Sequence, residues 1–299
     1  MKTERRLWLK TFIQKGGLYP FCHWLITTMR RWAAKIDCIR AYGNVLWLDP
    51  FPRVFYLAPF FLFDREITNF TYEIENRDEL IDFLSITLVV RHEIVLQYMQ
   101  ELESDEAFQR QLKEKLEVRK DRNPEPKYGR RLGWYCVTRI RKPALIVETG
   151  TQDGLGAAVL TRALQRNREE GYPGMLLTFD IQPDSGWLLD QSAAENFMII
   201  IEDTKTALAK HLQQRRVDFF IHDSNHSYDH ELFELKTVTR YANEHAVLIS
   251  DNAHGGNAMR DFCKAHDLRF HFFKEKPRRH FYPGGGIGLA FWLSKPNGL

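Results

Sequence analysis

Four residues in the carboxyl-terminal half have the types and spacing needed to move protons and gather charge. In F-F-I-H-D-S-N-H-S-Y, Asp223 precedes His226 by three residues, and in A-V-L-I-S-D-N-A-H, Asp251 and Asn252 stand together. Each pair follows an apolar run of strand character. Parallel neighbours lie ~4.8 Å apart, so two such strands would aim Asp223, Asp251 and Asn252 at one point. Three oxygen ligands of this kind suit a hard cation such as Mg²⁺, which keeps waters or substrate oxygens in its other octahedral positions. An imidazole with an unperturbed pKa near ~6.5 can take a proton from a hydroxyl, which makes His226 a candidate base beside Asp223. A plainer arrangement also satisfies these residues, in which Asp223 caps the next helix and His226 packs.

The elements that would position these groups start at V-E-T-G-T-Q-D-G-L-G, residues 147–156. It reads as a buried strand breaking into a glycine-rich turn that opens a helix, so a ligand would sit at the helix amino terminus. Gly150 and Gly154 permit positive φ or close approach, Glu148 stands two residues before the first glycine, and Thr151 lies between the glycines. The glycine order is neither G-x-G-x-x-G nor followed by G-K-[ST], which turns the reading away from phosphate binding. About thirty residues on, T-F-D-I-Q-P places Asp180 at a strand end, where an acid commonly accepts both hydroxyls of a ribose. A nucleoside is implied. In E-D-T, Asp203 and Thr204 follow the next strand. Asp203 could accept from an exocyclic amine such as adenine N6, and equally could cap a helix.

From residue 128 onward apolar strands alternate with amphipathic helices, with strands expected at 145–149, 176–180, 198–202, 217–222, 246–250, 270–273 and 288–293. The pattern predicts an α/β, Rossmann-like, doubly wound seven-stranded sheet, mostly parallel, with helices on both faces. Residues 1–127 read as a separate, mainly helical extension or cap, basic and aromatic-rich. Helical spacing recurs between 77 and 116, and the proline-bearing polar stretch 120–127 marks the junction.

The 299 residues carry a formal charge of +3, yet residues 1–35 hold eight Lys or Arg against one Glu, so the body is net negative. The basic start, mixed with Trp, Leu and Phe, could lie on an anionic membrane or a partner. Glycines and a proline interrupt it, which favours docking on its own chain. No nucleic-acid partner is expected, and a homodimer is left open. The sequence shows no membrane span and no signal peptide, which predicts a cytoplasmic chain. The four cysteines lack metal or disulfide spacing. His222 reads as core, while His230, His254, His266 and His271 read as surface or helix-end residues. Tyr228 is a weak candidate for the methionine end of a cofactor, and Tyr282 precedes a glycine run expected to form a tight turn.

Residues 132–292 resemble class I S-adenosylmethionine-dependent methyltransferases, on E-T-G-x-x-x-G, on Asp180 as the ribose acid and on E-D-T in the adenine-binding position. The resemblance implies S-adenosylmethionine as cofactor, held by Glu148, Gly150, Thr151, Gly154, Asp180, Asp203, Thr204 and Asp223. Asp223 with Asp251 and Asn252 resembles the metal triad of cation-dependent O-methyltransferases, and His226 resembles the base of metal-dependent sugar O-methyltransferases. L-G-W-Y-C-V-T-R-I-R-K-P, D-S-N-H-S-Y and Y-P-G-G-G-I-G are similar to a bacterial subgroup of methyltransferase-like proteins. The chain departs from the common D-G-D-H, because Ser224 and Asn225 replace Gly-Asp and remove one carboxylate, which weakens the case for Mg²⁺ and leaves a metal-free site with His226 as base open. The implied reaction is O-methylation of a natural-product or sugar-like hydroxyl, in secondary metabolism. Two alternatives stand beside it. One uses the aminobutyrate arm of the cofactor, by cyclisation to azetidine-2-carboxylate or aminocarboxypropyl transfer, and releases methylthioadenosine. The other is a non-catalytic binding or scaffold protein.

Overall fold

The computed structural model describes residues 71–118, 125–278 and 284–292. The basic segment 1–35, the aromatic stretch from residue 44 up to Phe70, most of the polar junction and Tyr282 lie outside the described residues. Three helices come first, α1 (Arg77–Leu88), α2 (His92–Glu103) and α3 (Glu106–Val118). Their buried positions repeat at three and four residues, as with Val95, Met99 and Leu102 in α2 and Phe108, Leu112 and Leu116 in α3. That stripe faces inward.

Next come α4 (Arg131–Arg141), β1 (Leu145–Thr149), α5 (Leu155–Glu169), β2 (Met175–Asp180), β3 (Phe197–Ile201), α6 (Thr204–Leu212) and β4 (Val217–His222). The chain continues through α7 (Tyr228–Val238), β5 (Ala242–Asp251), α8 (Ala258–Ala265), β6 (Leu268–Phe273) and β7 (Ile287–Trp292). All seven strands join one sheet in the order β3-β2-β1-β4-β5-β7-β6. The first five are parallel, and β7 runs antiparallel between β5 and β6. The expected doubly wound, mostly parallel sheet is present.

Side-chain alternation divides the sheet between two cores. Ile146, Phe219, Ile221, Val247 and Ile249 pack with α1–α5 on one face. Val147, Phe220 and Leu248 pack with Leu208 of α6, Leu235 of α7 and Phe262 of α8 on the other. Successive strand residues point to opposite faces, and both faces are covered, which is why β1 is buried at all five positions. The one strand that extends well beyond its expected span is β5, which begins at Ala242. Its added residues include Asn243, Glu244 and His245, whose polarity hid them from an apolar reading.

Three arginines, Arg130, Arg131 and Arg139, are buried in α4 and the turn before it. Arg139 reaches Glu101 on α2 at 2.7 Å, pairs with Glu170 after α5 and stacks over Tyr98 at 4.7 Å. A buried guanidinium persists only when its donors are met. Residues 71–76 run antiparallel to the chain beyond β6, through Glu75 N–H to the Lys276 carbonyl at 2.7 Å and Arg278 N–H to the Glu73 carbonyl at 2.7 Å. This pairing carries Tyr72 toward the carboxyl end of the sheet.

Candidate functional site

Strand order reverses between β1 and β4, and the crevice beyond their carboxyl ends is where ligands of such sheets bind. Gly150 follows β1 there with φ of 90°, and a Cβ on it would stand 2.1 Å from the carbonyl oxygen of Asp223. Only glycine fits. Asp223 N–H in turn donates to the Thr149 carbonyl at 2.9 Å. The glycine turn and the acidic strand end are therefore pressed together by their backbones.

The remaining turn residues follow the same logic. Gly154 adopts φ of 91° at the start of α5, and a Cβ there would meet the Cα of Gly186 at 2.8 Å. The loop after β2 closes on the turn through Gly186 N–H to the Gln152 carbonyl at 2.7 Å and Trp187 Nε1 to Asp153 at 2.9 Å. Lys115 of α3 steadies that loop by donating to the Trp187, Leu188 and Leu189 carbonyls. Asp180 accepts the N–H groups of Gln152 at 2.7 Å and Gln182 at 2.9 Å. A carboxylate offers about four acceptor positions, so two N–H donors orient it while it can still accept hydroxyls. Beneath the turn, Thr178 donates to Glu148 at 2.6 Å and shares a 2.6 Å hydrogen bond with Thr151. Burial pushes the Glu148 carboxyl up to about 7, against the hydrogen bond from Thr178.

Asp203 caps α6 by accepting from Lys205 N–H at 2.8 Å. Thr204 is buried and bonds His230 at 3.2 Å. Tyr228 turns its hydroxyl to Asp261 of α8 at 3.1 Å.

The structure brings the four opening residues together. Ligand-type atoms of Asp223, His226 and Asp251 all lie within 4.8 Å of one another. His226 Nε2 stands 3.7 Å from Asp223 Oδ1 and 3.2 Å from Asn252 Nδ2, and Asn252 takes a left-handed φ of 55° to make that contact. The amide nitrogen can only donate, so Nε2 accepts in this contact. Burial by the surrounding protein lowers the His226 pKa toward 4, with His222 and Arg130 adding to it and Asp251 opposing it. Because 36% of the His226 side chain faces solvent, water offsets part of that burial. The ring is neutral at neutral pH.

Two buried neighbours escaped the sequence. The first is Arg130, whose Nε and Nη2 hold the two carboxylate oxygens of Asp251, while Nη1 reaches Glu275 at 3.0 Å and the hydroxyl of Tyr72. Tyr72 donates to Glu275 at 2.7 Å, and the N–H groups of Gly285 and Gly286 donate to it at 3.1 and 3.3 Å. Burial alone would raise Asp251, but the Arg130 charge and hydrogen bonds carry it below its ordinary range. Asp223 goes the other way, lifted well above its range by burial and by the charge of Asp251. The second is Glu234 of α7. It is fully buried and bonds His222 at 2.7 Å, His230 at 2.8 Å, Thr149 at 2.6 Å and Ser224 at 2.9 Å. Burial would raise it, yet the hydrogen bonds from the two histidines take it well below the carboxylate range. His222 is core as expected, and its ring meets that of His226 edge-on at 5.3 Å between centroids. His230, expected at the surface, belongs to this buried network, because Glu234 one helical turn along α7 draws it in.

A divalent cation fits this set poorly. Both oxygens of Asp251 are held by a guanidinium, the Nε2 of His226 is engaged with the Asn252 amide nitrogen, and Asn225 stands where the common motif has its second carboxylate.

Residues 147–253 match the model of a family described as "Methyltransferase domain". This segment is similar to a methyltransferase domain. It spans β1 to the turn after β5, and so contains the glycine turn, Asp180, Asp203 and the four opening residues. The seven-stranded, mostly parallel, Rossmann-like sheet is the one the resemblance implied. No functionally curated protein matches the chain. Solved structures similar to it include an SAH-bound methyltransferase from Podospora anserina, at 14% identity over 62% of this chain and 88% of that one, with a TM-score of 0.46. Another is the O-methyltransferase TomG from Streptomyces achromogenes in complex with SAM, at 16% identity over 64% and 91%, with a TM-score of 0.45. A methyltransferase from Geobacter sulfurreducens is 20% identical over 54% and 76%, with a TM-score of 0.41. Within the matched segment, Gly150, Gly154 and Asp180 stand at the β1–β2 strand ends over the buried Glu148 and Thr151, and Asp223, His226 and Asn252 stand at the β4–β5 ends. Among the described residues no helix is long and apolar enough to cross a membrane.

Proposed function

We propose that this chain binds S-adenosylmethionine and transfers its methyl group to a hydroxyl of a small natural-product or sugar-like acceptor, with His226 as the base. The observation that carries the reading is the contact of Gly150 with the Asp223 backbone, which sets the ligand turn directly against the strand end from which His226 follows. Asp180, oriented by two N–H groups, would accept the ribose hydroxyls, and the turn would face the methionine end. Thr204, turned toward His230, would support the pocket from behind. Methyl transfer needs the acceptor oxygen in line with the sulfonium methyl, and holding that geometry supplies much of the rate. A neutral His226 can take the hydroxyl proton as the oxygen attacks. Asn252, bonded to the ring, fixes its orientation.

Incubation of the purified chain with S-adenosylmethionine and a panel of hydroxylated acceptors, read by mass spectrometry, tests this. Adenosylhomocysteine formed only with an acceptor supports the reading. Methylthioadenosine formed from the cofactor alone would replace it with chemistry of the aminobutyrate arm, and neither product would leave a binding protein.

A further inference from the structure

We propose that Arg130 is the resident cation of this site, holding Asp251 where a divalent metal would otherwise sit, so that the chain takes up no divalent ion between Asp223 and Asp251. This deepens the methyl-transfer reading, but it stands on the geometry of four side chains and its test needs no turnover.

Arg130 and Asp251 meet fork to fork, Nε and Nη2 of one on the two oxygens of the other, with 2% and 0% of their side chains exposed. That bidentate match is the strongest geometry available to a guanidinium and a carboxylate. Arginine keeps its proton inside a protein, so its charge is permanent. The guanidinium is also held from its far side, because Nη1 donates to Glu275 at 3.0 Å and to Tyr72, and Tyr72 donates to the same Glu275 at 2.7 Å. Three stretches of chain converge on it: residues 71–76, the end of β5 and the segment after β6. Swinging Arg130 away would leave Asp251 and Glu275, both fully buried, without their counter-charge.

A magnesium ion demands oxygen ligands at ~2.0–2.1 Å in near-octahedral array. At Asp251 it would have to displace the guanidinium or stand a few ångströms from it, cation beside cation. The hydroxyl of Ser224, the residue after Asp223, is already donated to Glu234 at 2.9 Å, and the His226 Nε2 that faces Asp223 meets the Asn252 amide nitrogen at 3.2 Å. Of the apparent ligand cluster, Asp251 is therefore the member that is already committed, with both of its oxygens on Arg130. The charge that a metal would supply is in place as Arg130, which acts as a positioning residue: it fixes Asp251, and through Asp251 the acids and imidazole beside it.

Titration of the chelator-treated full chain with Mn²⁺, followed by the electron paramagnetic resonance signal of the free ion, tests the assignment. The wild type is expected to show no saturable site tighter than ~1 mM, the weak end of oxygen-ligand sites. Arg130→Met is expected to gain one Mn²⁺ per chain, lost again when Asp251→Asn is added, whereas Arg130→Lys, which keeps the charge, should gain none. One tight Mn²⁺ per wild-type chain, abolished by Asp251→Asn, overturns the proposal. So does a folded Arg130→Met chain that binds none. If Arg130→Met does not fold, the wild-type titration and Asp251→Asn still decide.

Discussion

The two sides of the crevice are held in place by different physics. On the β1–β2 side the chain is positioned by backbone against backbone: Gly150 touches the Asp223 carbonyl, Gly154 touches Gly186, and Asp180 is set by two N–H groups. On the β4–β5 side, buried charges do the positioning, Arg130 with Asp251 and Glu275, and Glu234 with His222 and His230. A backbone site tolerates no added atom but carries little charge. A charged site tolerates shape changes better and is exposed to pH and to loss of a partner. The first side suits a cofactor gripped in one pose, and the second suits groups that must exchange protons.

Four substitutions would break or sharpen that contrast. The largest effect is expected from Gly150→Ala, which combines a left-handed backbone with a methyl driven into the Asp223 carbonyl and should cost about 5 kcal/mol of stability. Thermal unfolding of the purified variant checks this, and a Tm within a few degrees of wild type would show that the backbone contact is not tight. Next, His226→Ala should lower kcat by about 10³-fold with little change in Tm, the ordinary scale of a lost general base. Steady-state turnover with an acceptor measures it, and unchanged kcat would remove His226 from the chemistry.

Third, Glu234→Gln should destabilise the fold by about 3 kcal/mol, because one of the two oxygens that serve Thr149, Ser224, His222 and His230 becomes a donor and leaves buried groups unmatched. The sign with pH follows from the depressed carboxyl: its stabilisation is complete above the ordinary glutamate range, near ~4.3, and is lost as pH falls through and below it. Chemical denaturation from pH 7 to pH 2 should therefore show a constant gap between wild type and variant down to about pH 4 and a narrowing gap below it. The smallest effect belongs to Glu148→Gln. Burial raises Glu148 to about 7, so the folded chain keeps a proton that the unfolded chain releases, and stability falls as pH rises from the ordinary range to about 7. The neutral amide should flatten that fall by about 2 kcal/mol. An unaltered pH slope would mean that Glu148 is not the group responsible.

How much of this could be read in advance differs between the same two sides. The strands at 145–149 and 217–222 match the sequence pattern at both ends, because a doubly covered parallel strand needs an apolar centre, Leu145 to Val147 and Phe219 to Ile221 here, and turns polar toward its carboxyl end. Gly150, Gly154 and Asp180 were legible for the same local reason. Asp203 was read with two roles, and its capping contact is seen. The charged side was half legible. Asp223, His226, Asp251 and Asn252 announce themselves as polar residues ending apolar runs. Glu234 and His230 were hidden in an α7 whose inward face mixes Glu231, Glu234 and Leu235, and no apolar period marks it. Buried acids at the start of the next helix turn are the signal that could have found them.

By itself, the sequence determined the order of elements, the glycine turn and the residue types gathered at the carboxyl ends of the strands. These follow from neighbours a few positions apart, through backbone sterics and the two-residue period of a strand. Only the tertiary structure decided which charges meet. Arg130 lies 121 positions before Asp251 and Tyr72 lies 203 before Glu275, and no local pattern links them. A buried charge must find an opposite charge wherever the folded chain brings one, since leaving it alone in a low-dielectric interior costs several kcal/mol. That requirement, acting across the whole chain, turned an expected metal-ligand set into an arginine-held one.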